Sequence, residues 1–121
     1  MSTVLVVDDD PVVAASLGAL LEAHGYEVVA ASHGSEALRV AALQTPDLVV
    51  SDCQMPVLDG ASLYRRFQVD PRLKVVPFIF MSGNVDARDI PIAEFLREPF
   101  DPAIMIQAIA GLLNRERRLG K

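Results

Sequence analysis

The chain has 121 residues, about half of them apolar, a net charge of −5 and one cysteine, Cys53. Its length predicts a single domain over residues 1–121, and a lone cysteine excludes a disulfide framework. No apolar stretch reaches the roughly 18 residues of a membrane span, and the N-terminus has no signal-peptide pattern. The acidic net charge argues against nucleic acid as a partner. We therefore expect a cytoplasmic domain with neither a membrane nor a nucleic-acid partner.

Short apolar runs alternate with helix-like patterns along the chain. The predicted elements, in chain order, are a strand over Thr3–Val7, a helix from Pro11 to Gly25, a strand over Glu27–Ala31, a helix capped by Ser35 and ending before Pro46, a strand over Asp47–Asp52, a helix after Gly60, strands over Val76–Met81 and Glu94–Arg97, and a last helix from Pro102. Pro91 interrupts any helix between the last two strands, so the fourth crossover is a turn or two of helix at best. Five strands alternating with helices predict an α/β fold with a parallel sheet covered on both faces.

Two of the predicted helices carry an apolar stripe that we expect to face the sheet. These stripes consist of Val12, Val13, Leu17, Leu20 and Leu21 in the first helix, and of Ile104, Met105, Ala108, Ile109, Leu112 and Leu113 in the last. Charged or titratable residues outside the stripes are expected at the surface, among them His24, His33, Arg65 and Arg66.

Acidic residues follow two of the predicted strands. Asp8, Asp9 and Asp10 come directly after the first apolar run, and Asp52 ends the run that begins at Leu48. Apolar runs bounded by polar residues are typical of strands buried on both faces. Carboxylates crowded at strand ends repel one another, so we expect them to serve chemistry or to bind a cation.

Four motifs resemble, in order and approximate spacing, those of the response-regulator receiver domain of two-component signalling. They are Val6-Val7-Asp8-Asp9, Asp52-x-x-Met55-Pro56-x-x-Asp59-Gly60, Met81-Ser82-Gly83 and Glu98-Pro99-Phe100. The resemblance covers nearly the whole chain. It implies a doubly wound five-stranded parallel sheet of order 2-1-3-4-5, with ligands bound between strands 1 and 3, where the order reverses.

The resemblance also implies a metal site and a phosphoacceptor. Asp52 would accept the phosphoryl group, and Mg²⁺ would be bound by Asp8, Asp9, Asp52 and the backbone carbonyl of Gln54. The chemistry is consistent, because a carboxylate can attack a phosphoryl group and Mg²⁺ offsets the repulsion between the two anions. No turnover of an external substrate is expected.

Two further residues and two kinds of partner follow from the same resemblance. Ser82 would be the hydroxyl residue that bonds a phosphoryl oxygen, and Phe95 the aromatic switch on strand 5. A histidine kinase or a histidine phosphotransfer protein would donate the phosphoryl group. No output domain follows the last helix in this sequence, so we expect signalling by contact with a downstream protein.

One residue departs from the family pattern with a large consequence. The family has Lys before the proline that follows strand 5, whereas this chain has Glu98. That Lys pairs with the phosphoryl group, and at about 4 Å a pair of unit charges is worth on the order of 4 kcal/mol at an effective dielectric of about 20. Glu98 replaces this attraction by repulsion, which puts normal phosphorylation or its structural readout in doubt.

Two other functions stay open. A pseudo-receiver would bind its partner independently of phosphorylation. The run Asp8-x-Asp10-x-Val12 also fits the opening motif of haloacid-dehalogenase-like phosphatases, in which the first Asp is the nucleophile. Some residues have plainer structural interpretations: Asp10 as a helix cap, Asp59 as a turn residue and Cys53 as a small buried hydrophobe.

Overall fold

A parallel β-sheet forms the centre of the molecule. The structure is a computed structural model that describes residues 2–52, 60–82, 94–97 and 101–118, without the side chains of residues 60, 61, 82, 94–97 and 115–118. Its strands are β1 (Thr3–Val7), β2 (Glu27–Ala31), β3 (Leu48–Asp52), β4 (Phe78–Ser82) and β5 (Glu94–Arg97). They lie in the order β2-β1-β3-β4-β5, and every neighbouring pair is parallel. This is the order that the resemblance implies.

Helices cover both faces of the sheet, which confirms the predicted α/β class. Within the described ranges they are α1 (Pro11–Ala23), α2 (Gly34–Leu43), α3 (Gly60–Gln68) and α4 (Pro102–Arg118). None of these described helices combines the length and the apolar composition that a bilayer span requires. The predicted shortening of the fourth crossover concerns residues 83–93, which lie outside the described ranges.

Two apolar layers, one on each face, bury the central strands. β1 is buried at all five positions, and its side chains alternate between the two faces. The layer under α1 and α4 includes Val4, Val6, Leu17, Leu21, Leu48, Val50, Ile79, Met81, Met105 and Ile109. The layer under α2 and α3 includes Leu5, Val7, Ala37, Ala41, Val49, Leu63, Phe67, Phe78 and Phe80. Each of the larger side chains, those of Val, Leu, Ile, Phe and Met, contributes about 1.5–3 kcal/mol when buried, so a one-residue slip that exchanges the two faces is strongly disfavoured.

Helix α1 begins and ends where the sequence predicts. The Asp10 carboxylate accepts a hydrogen bond from the backbone N–H of Val12 at 2.9 Å, and Pro11 occupies the first helical position. The helix ends ahead of Gly25, whose φ of +91° lies in the left-handed region that favours glycine. Asp10 is therefore a helix cap.

The predicted cap of α2 is wrong. His33 occupies the cap position, where its Nδ1 accepts a hydrogen bond from the backbone N–H of Glu36 at 3.2 Å, and Ser35 lies inside the first turn. In return, the Glu36 carboxylate accepts hydrogen bonds from the backbone N–H and the hydroxyl of Ser32, at 2.6 and 2.9 Å. These bonds hold the pKa of Glu36 below its ordinary value, against a weaker effect of burial.

Two strand boundaries also differ from the prediction. β3 begins at Leu48 rather than at Asp47, and the Asp47 carboxylate accepts a hydrogen bond from the backbone N–H of Thr3 at 2.7 Å. β4 runs from Phe78 to Ser82 rather than over Val76–Met81. The Pro77 nitrogen has no hydrogen to donate to a ladder, so the strand starts after it.

Most stripe residues of α1 and α4 face the core, but two do not. Val12 is 71% exposed and Ile104 is 47% exposed. Both belong to the first turn of their helix, at the end that follows the carboxyl end of a strand. The expectation that they face the sheet is therefore wrong for these two. The surface positions predicted for four residues are confirmed; they are His24, His33, Arg65 and Arg66.

An aromatic group in the layer under α2 and α3 contains a buried hydroxyl. The rings of Tyr64 and Phe67 both meet Phe78 edge-on, with centroids 5.2 and 5.0 Å away. Such arrangements add to the stabilisation that burial provides. The Tyr64 Oη is buried and has no hydrogen-bond partner among the described residues, and burial raises the pKa of this phenol. The hydroxyl is thus a destabilising feature of an otherwise well-packed layer.

We expect Tyr64→Phe to raise the free energy of unfolding by about 1 kcal/mol, because it removes a buried polar atom and keeps the ring. Urea unfolding of the variant and the parent chain measures the difference. The half-buried Tyr26 offers a control, since Tyr26→Phe should change stability less. A loss of stability in Tyr64→Phe would show that the hydroxyl is hydrogen-bonded in solution.

We expect Glu36→Gln to lower stability at neutral pH and to flatten its fall in the acid range. A carboxyl whose pKa is lower in the folded state stabilises the fold above its unfolded-state pKa, and this contribution is lost as the pH falls through the folded-state value. Urea unfolding over a pH series measures the effect. Glu22→Gln makes the same charge change at an exposed position of α1 and serves as the control for the loss of one negative charge. Identical acid limbs for Glu36→Gln and the parent chain would contradict the prediction.

Candidate metal centre

The ends of β1 and β3 bring acidic residues together. Val7 of β1 pairs with Ser51 of β3, so Asp8 and Asp52 are the next residues along two adjacent parallel strands. Because side chains alternate along a strand, both continue the face that is covered by α1 and α4. β1 has β2 on one side and β3 on the other. This is the point where the strand order reverses, and sheets of this type bind ligands there.

Three carboxylates converge at this point. Asp8, Asp9 and Asp52 each offer one oxygen, and the three oxygens lie within 4.8 Å of one another. Asp8 is 4% exposed, Asp52 is half-buried and Asp9 is exposed. Asp8 also accepts a hydrogen bond from the backbone N–H of Asp10 at 2.9 Å, which fixes one of its oxygens. The three predicted carboxylate ligands therefore meet, while Asp10 is engaged in capping α1.

The charge and chemistry of this group fit a hard divalent cation. At such separations each pair of unit charges repels by about 3 kcal/mol at an effective dielectric of about 20, and by less where water screens the exposed Asp9. A bound cation would reverse the sign of this energy. Oxygen ligands that are few enough to leave room for water are those that Mg²⁺ prefers. The residues present thus fit the magnesium ion that the sequence predicts.

Residues 4–110 match the sequence profile of a family described as the response regulator receiver domain. The chain belongs to this family. Receiver domains act with histidine kinases in two-component signalling and generally bind Mg²⁺. The predicted family is thereby confirmed, and the haloacid-dehalogenase-like alternative is excluded.

Solved receiver domains share the fold of this one over nearly its whole length. A response regulator receiver domain from Clostridium thermocellum is 29% identical, with a TM-score of 0.88 over 98% of this chain and 99% of its own. The receiver domain of a sensor histidine kinase from Pseudomonas aeruginosa, which has a magnesium ion coordinated in its active-site cleft, is 28% identical, with a TM-score of 0.86 over 93% of this chain and 98% of its own.

The curated relatives that this receiver domain matches are longer than the chain. The transcriptional regulatory protein PrrA of Mycobacterium tuberculosis is 38% identical over 116 residues, which make up 93% of this chain and 50% of PrrA. The chain spans about half or less of the length of the curated relatives it matches. What these relatives do as whole proteins therefore does not transfer directly to this chain.

The structure places only part of the remaining predicted site of the receiver domain. Ser82 ends β4 at the same edge of the sheet, one residue past the register partner of Asp52. Phe95 lies in β5, where it pairs with Phe80. For Ser82 and Phe95 the backbone is described and the side chain is not. The predictions for four residues fall outside the described ranges; these are Cys53, Gln54, Asp59 and Glu98.

Two features beside the acids are not predicted from the sequence. Ser51 is fully buried in β3, and its hydroxyl donates a hydrogen bond to the backbone carbonyl of Asp52 at 2.9 Å. An open groove of about 720 Å³ runs along α1 from Asp8 and Asp9, and small residues form much of its lining, including Ala14, Ala15, Gly18 and Ala30. The spacing of small residues on α1 is a signal that could have indicated the groove. The apolar run of β3 gives no comparable sign of what Ser51 does.

We expect Asp9→Asn to weaken Mg²⁺ binding by at least about tenfold, the loss that even changes outside the ligand shell can cause. The chain has no tryptophan, so binding is best followed by titration calorimetry with MgCl₂. Asp10→Asn is the matched control, because it removes the same charge from the neighbouring residue while Asn remains a good helix cap. Equal losses in both variants would mean that net charge, rather than a ligand set, determines Mg²⁺ binding.

Proposed function

We propose that this receiver domain accepts a phosphoryl group on Asp52, with Mg²⁺ held by Asp8, Asp9 and Asp52, and signals by contact with another protein. The observation that carries the proposal is the convergence of three carboxylate oxygens, within 4.8 Å, where the strand order reverses. The magnesium ion in the Pseudomonas receiver domain supports the choice of metal. The proposal includes no turnover of an external substrate.

Asp52 is suited to be the nucleophile, because a half-buried carboxylate at a strand end is both oriented and accessible. One of its oxygens attacks the phosphorus of a phosphohistidine or of a small acyl phosphate. The new O–P bond forms as the P–N bond to imidazole, or the P–O bond to the acyl group, breaks. The leaving group keeps the electron pair, and the imidazole nitrogen then takes up a proton. Mg²⁺, when bound, neutralises charge on the carboxylate and phosphoryl oxygens.

The other two acids, Asp8 and Asp9, provide a ligand of fixed direction and an accessible entrance to the site. Asp8 is nearly buried, and one of its oxygens is held by the backbone N–H of Asp10, so the direction of its carboxylate is fixed. Asp9 is exposed at the rim, where a cation and a phosphoryl donor would enter. On the strength of the family motifs, we assign the backbone carbonyl of Gln54 as a further metal ligand.

The switch residues are assigned on the same basis. The Ser82 hydroxyl would bond a phosphoryl oxygen once the group is attached. Phe95 would be the aromatic residue that changes orientation in response. The backbone positions of both residues, at the end of β4 and within β5, are compatible with these roles.

Exposed apolar residues at the helix starts that follow the strand ends support a protein partner. Val12 and Ile104 lie in the first turns of α1 and α4 and are 71% and 47% exposed. The groove along α1 opens onto Asp8 and Asp9. Together these features offer a surface on which a histidine kinase or a histidine phosphotransfer protein could present a phosphohistidine. The absence of a nucleic-acid partner and the cytoplasmic location stay predictions.

A pseudo-receiver is the second candidate, and Glu98 favours it. The family has a Lys at this position that pairs with the phosphoryl group, and an acid there repels it. In this alternative the fold and the acids persist, but the partner binds whether or not Asp52 is phosphorylated. The two candidates differ in whether partner binding depends on phosphorylation of Asp52, and a parent chain that cannot be phosphorylated leaves only the second.

We expect the chain to gain the mass of one phosphoryl group when it is incubated with acetyl phosphate and Mg²⁺. Asp52→Asn should gain none, because the amide is not a nucleophile for this reaction, and omission of Mg²⁺ should greatly slow the gain. Intact-mass spectrometry at several times measures the extent. Circular dichroism of Asp52→Asn serves as the control for folding.

Glu98→Lys separates the two candidates when the parent chain gains no mass. If only Glu98→Lys is phosphorylated, and this gain requires Asp52, the site is intact but blocked, which supports the pseudo-receiver. If neither chain gains mass while both are folded and bind Mg²⁺, the assignment of Asp52 as phosphoacceptor is overturned.

A further inference from the structure

Ser51 is a polar residue in an otherwise apolar part of the sheet. It lies in β3 between Val7 of β1 and Phe80 of β4, its register partners, and it is fully buried. By the alternation of side chains it continues the face of Val49, which belongs to the layer under α2 and α3. A buried hydroxyl is costly unless it is hydrogen-bonded. Its role is therefore to be sought in the bond that it makes.

The hydrogen bond of Ser51 acts on the residue that we propose to be phosphorylated. The Ser51 Oγ donates to the backbone carbonyl of Asp52 at 2.9 Å. Asp52 is the last residue of β3, at the margin of the ladder with β1, whose last pair is Val7 and Ser51. At the end of a strand the regular ladder no longer determines each peptide unit on both sides. A side-chain bond at this point adds a constraint that the ladder alone does not supply.

We propose that Ser51 is a positioning residue: by holding the backbone carbonyl of Asp52, it sets the direction of the Asp52 carboxylate toward Asp8 and Asp9. The inference rests on the proposed function of Asp52 and on the metal site. The Ser51 hydroxyl lies on the face opposite the acids, so it acts through the main chain and does not itself contact the cation.

The geometry of the main chain explains how the effect is transmitted. A peptide unit is planar, so a bond to the carbonyl of Asp52 fixes the plane that leaves the strand and the ψ angle of this residue. The ring that this hydrogen bond closes also contains the ψ angle of Ser51 and the φ angle of Asp52, and restricting these two angles restricts the position of the Asp52 side chain relative to β1. Mg²⁺ tolerates little departure from octahedral geometry, and displacements of about 0.5 Å are enough to impair a site of this kind. The three acid oxygens already lie within 4.8 Å of one another.

Ser51→Ala tests the inference. We expect it to weaken Mg²⁺ binding by about tenfold, as changes that disturb ligand orientation do, and to slow phosphorylation of Asp52 at subsaturating Mg²⁺ more than at saturating Mg²⁺. Calorimetry with MgCl₂ and time-resolved intact-mass spectrometry with acetyl phosphate give the two readouts. Ser51→Thr keeps the hydroxyl and should restore both toward the parent values.

Tyr64→Phe is the matched control, because it removes a buried hydroxyl from the same layer that has no hydrogen-bond partner among the described residues. It should leave Mg²⁺ affinity and phosphorylation unchanged. If Ser51→Ala does not fold, Ser51→Cys is the alternative test, because its thiol is similar in size to the hydroxyl and is a weaker hydrogen-bond donor. An intermediate Mg²⁺ affinity of Ser51→Cys supports the inference, and an unchanged affinity overturns it.

When Ser51→Ala folds, three outcomes overturn the positioning role: a Ser51→Ala variant with the Mg²⁺ affinity of the parent chain, an equal loss in Tyr64→Phe, or a folded Ser51→Thr that restores nothing. Failure of the proposed function appears differently. If the parent chain takes up no phosphoryl group at Asp52, the Mg²⁺ titration of the same variants still reports whether Ser51 positions this carboxylate.

Discussion

Repulsion between carboxylates at the ends of two central strands is the interaction on which the site depends. Asp8, Asp9 and Asp52 are held together by the register of β1 and β3, and this register is enforced by the burial of both strands. Burial of the apolar layers thus holds the like charges close together. A surface loop with the same residues would separate them. The core therefore has a direct part in the chemistry, because it supplies the free energy that keeps an unfavourable charge arrangement in place.

The three adjacent acids Asp8, Asp9 and Asp10 have different roles because the local main-chain geometry places each in a different environment. Asp10 caps α1, and its own backbone N–H binds Asp8, so the helix start and the metal site share one short segment. Asp9 is left exposed at the rim. A run of three acids in a sequence looks uniform, yet the main chain assigns each a different environment within one turn. Such assignments follow from the hydrogen bonds of the turn more than from the side chains themselves.

The predictions from sequence succeed where many residues are buried together and fail where a single hydrogen bond determines how an element begins. β1 and the acids beside it follow from a continuous apolar run, which has one stable position in a parallel sheet. The sequence predicts Ser35 as the cap of α2, because serine is a favoured cap residue, whereas the structure uses the imidazole of His33. Val12 shows a third limit, because a helical stripe does not reveal which of its residues extend past the sheet.

The acids at the two ends of the sheet have different surroundings. At the end where the strands begin, Asp47 and Glu27 accept hydrogen bonds from the backbone N–H and the hydroxyl of Thr3. At the end where the strands finish, Asp8 also accepts a hydrogen bond, from the backbone N–H of Asp10, but one of its oxygens lies within 4.8 Å of oxygens of Asp9 and Asp52. The sheet is therefore asymmetric along its strands: among the described residues, the group of three convergent carboxylates lies at the finishing end.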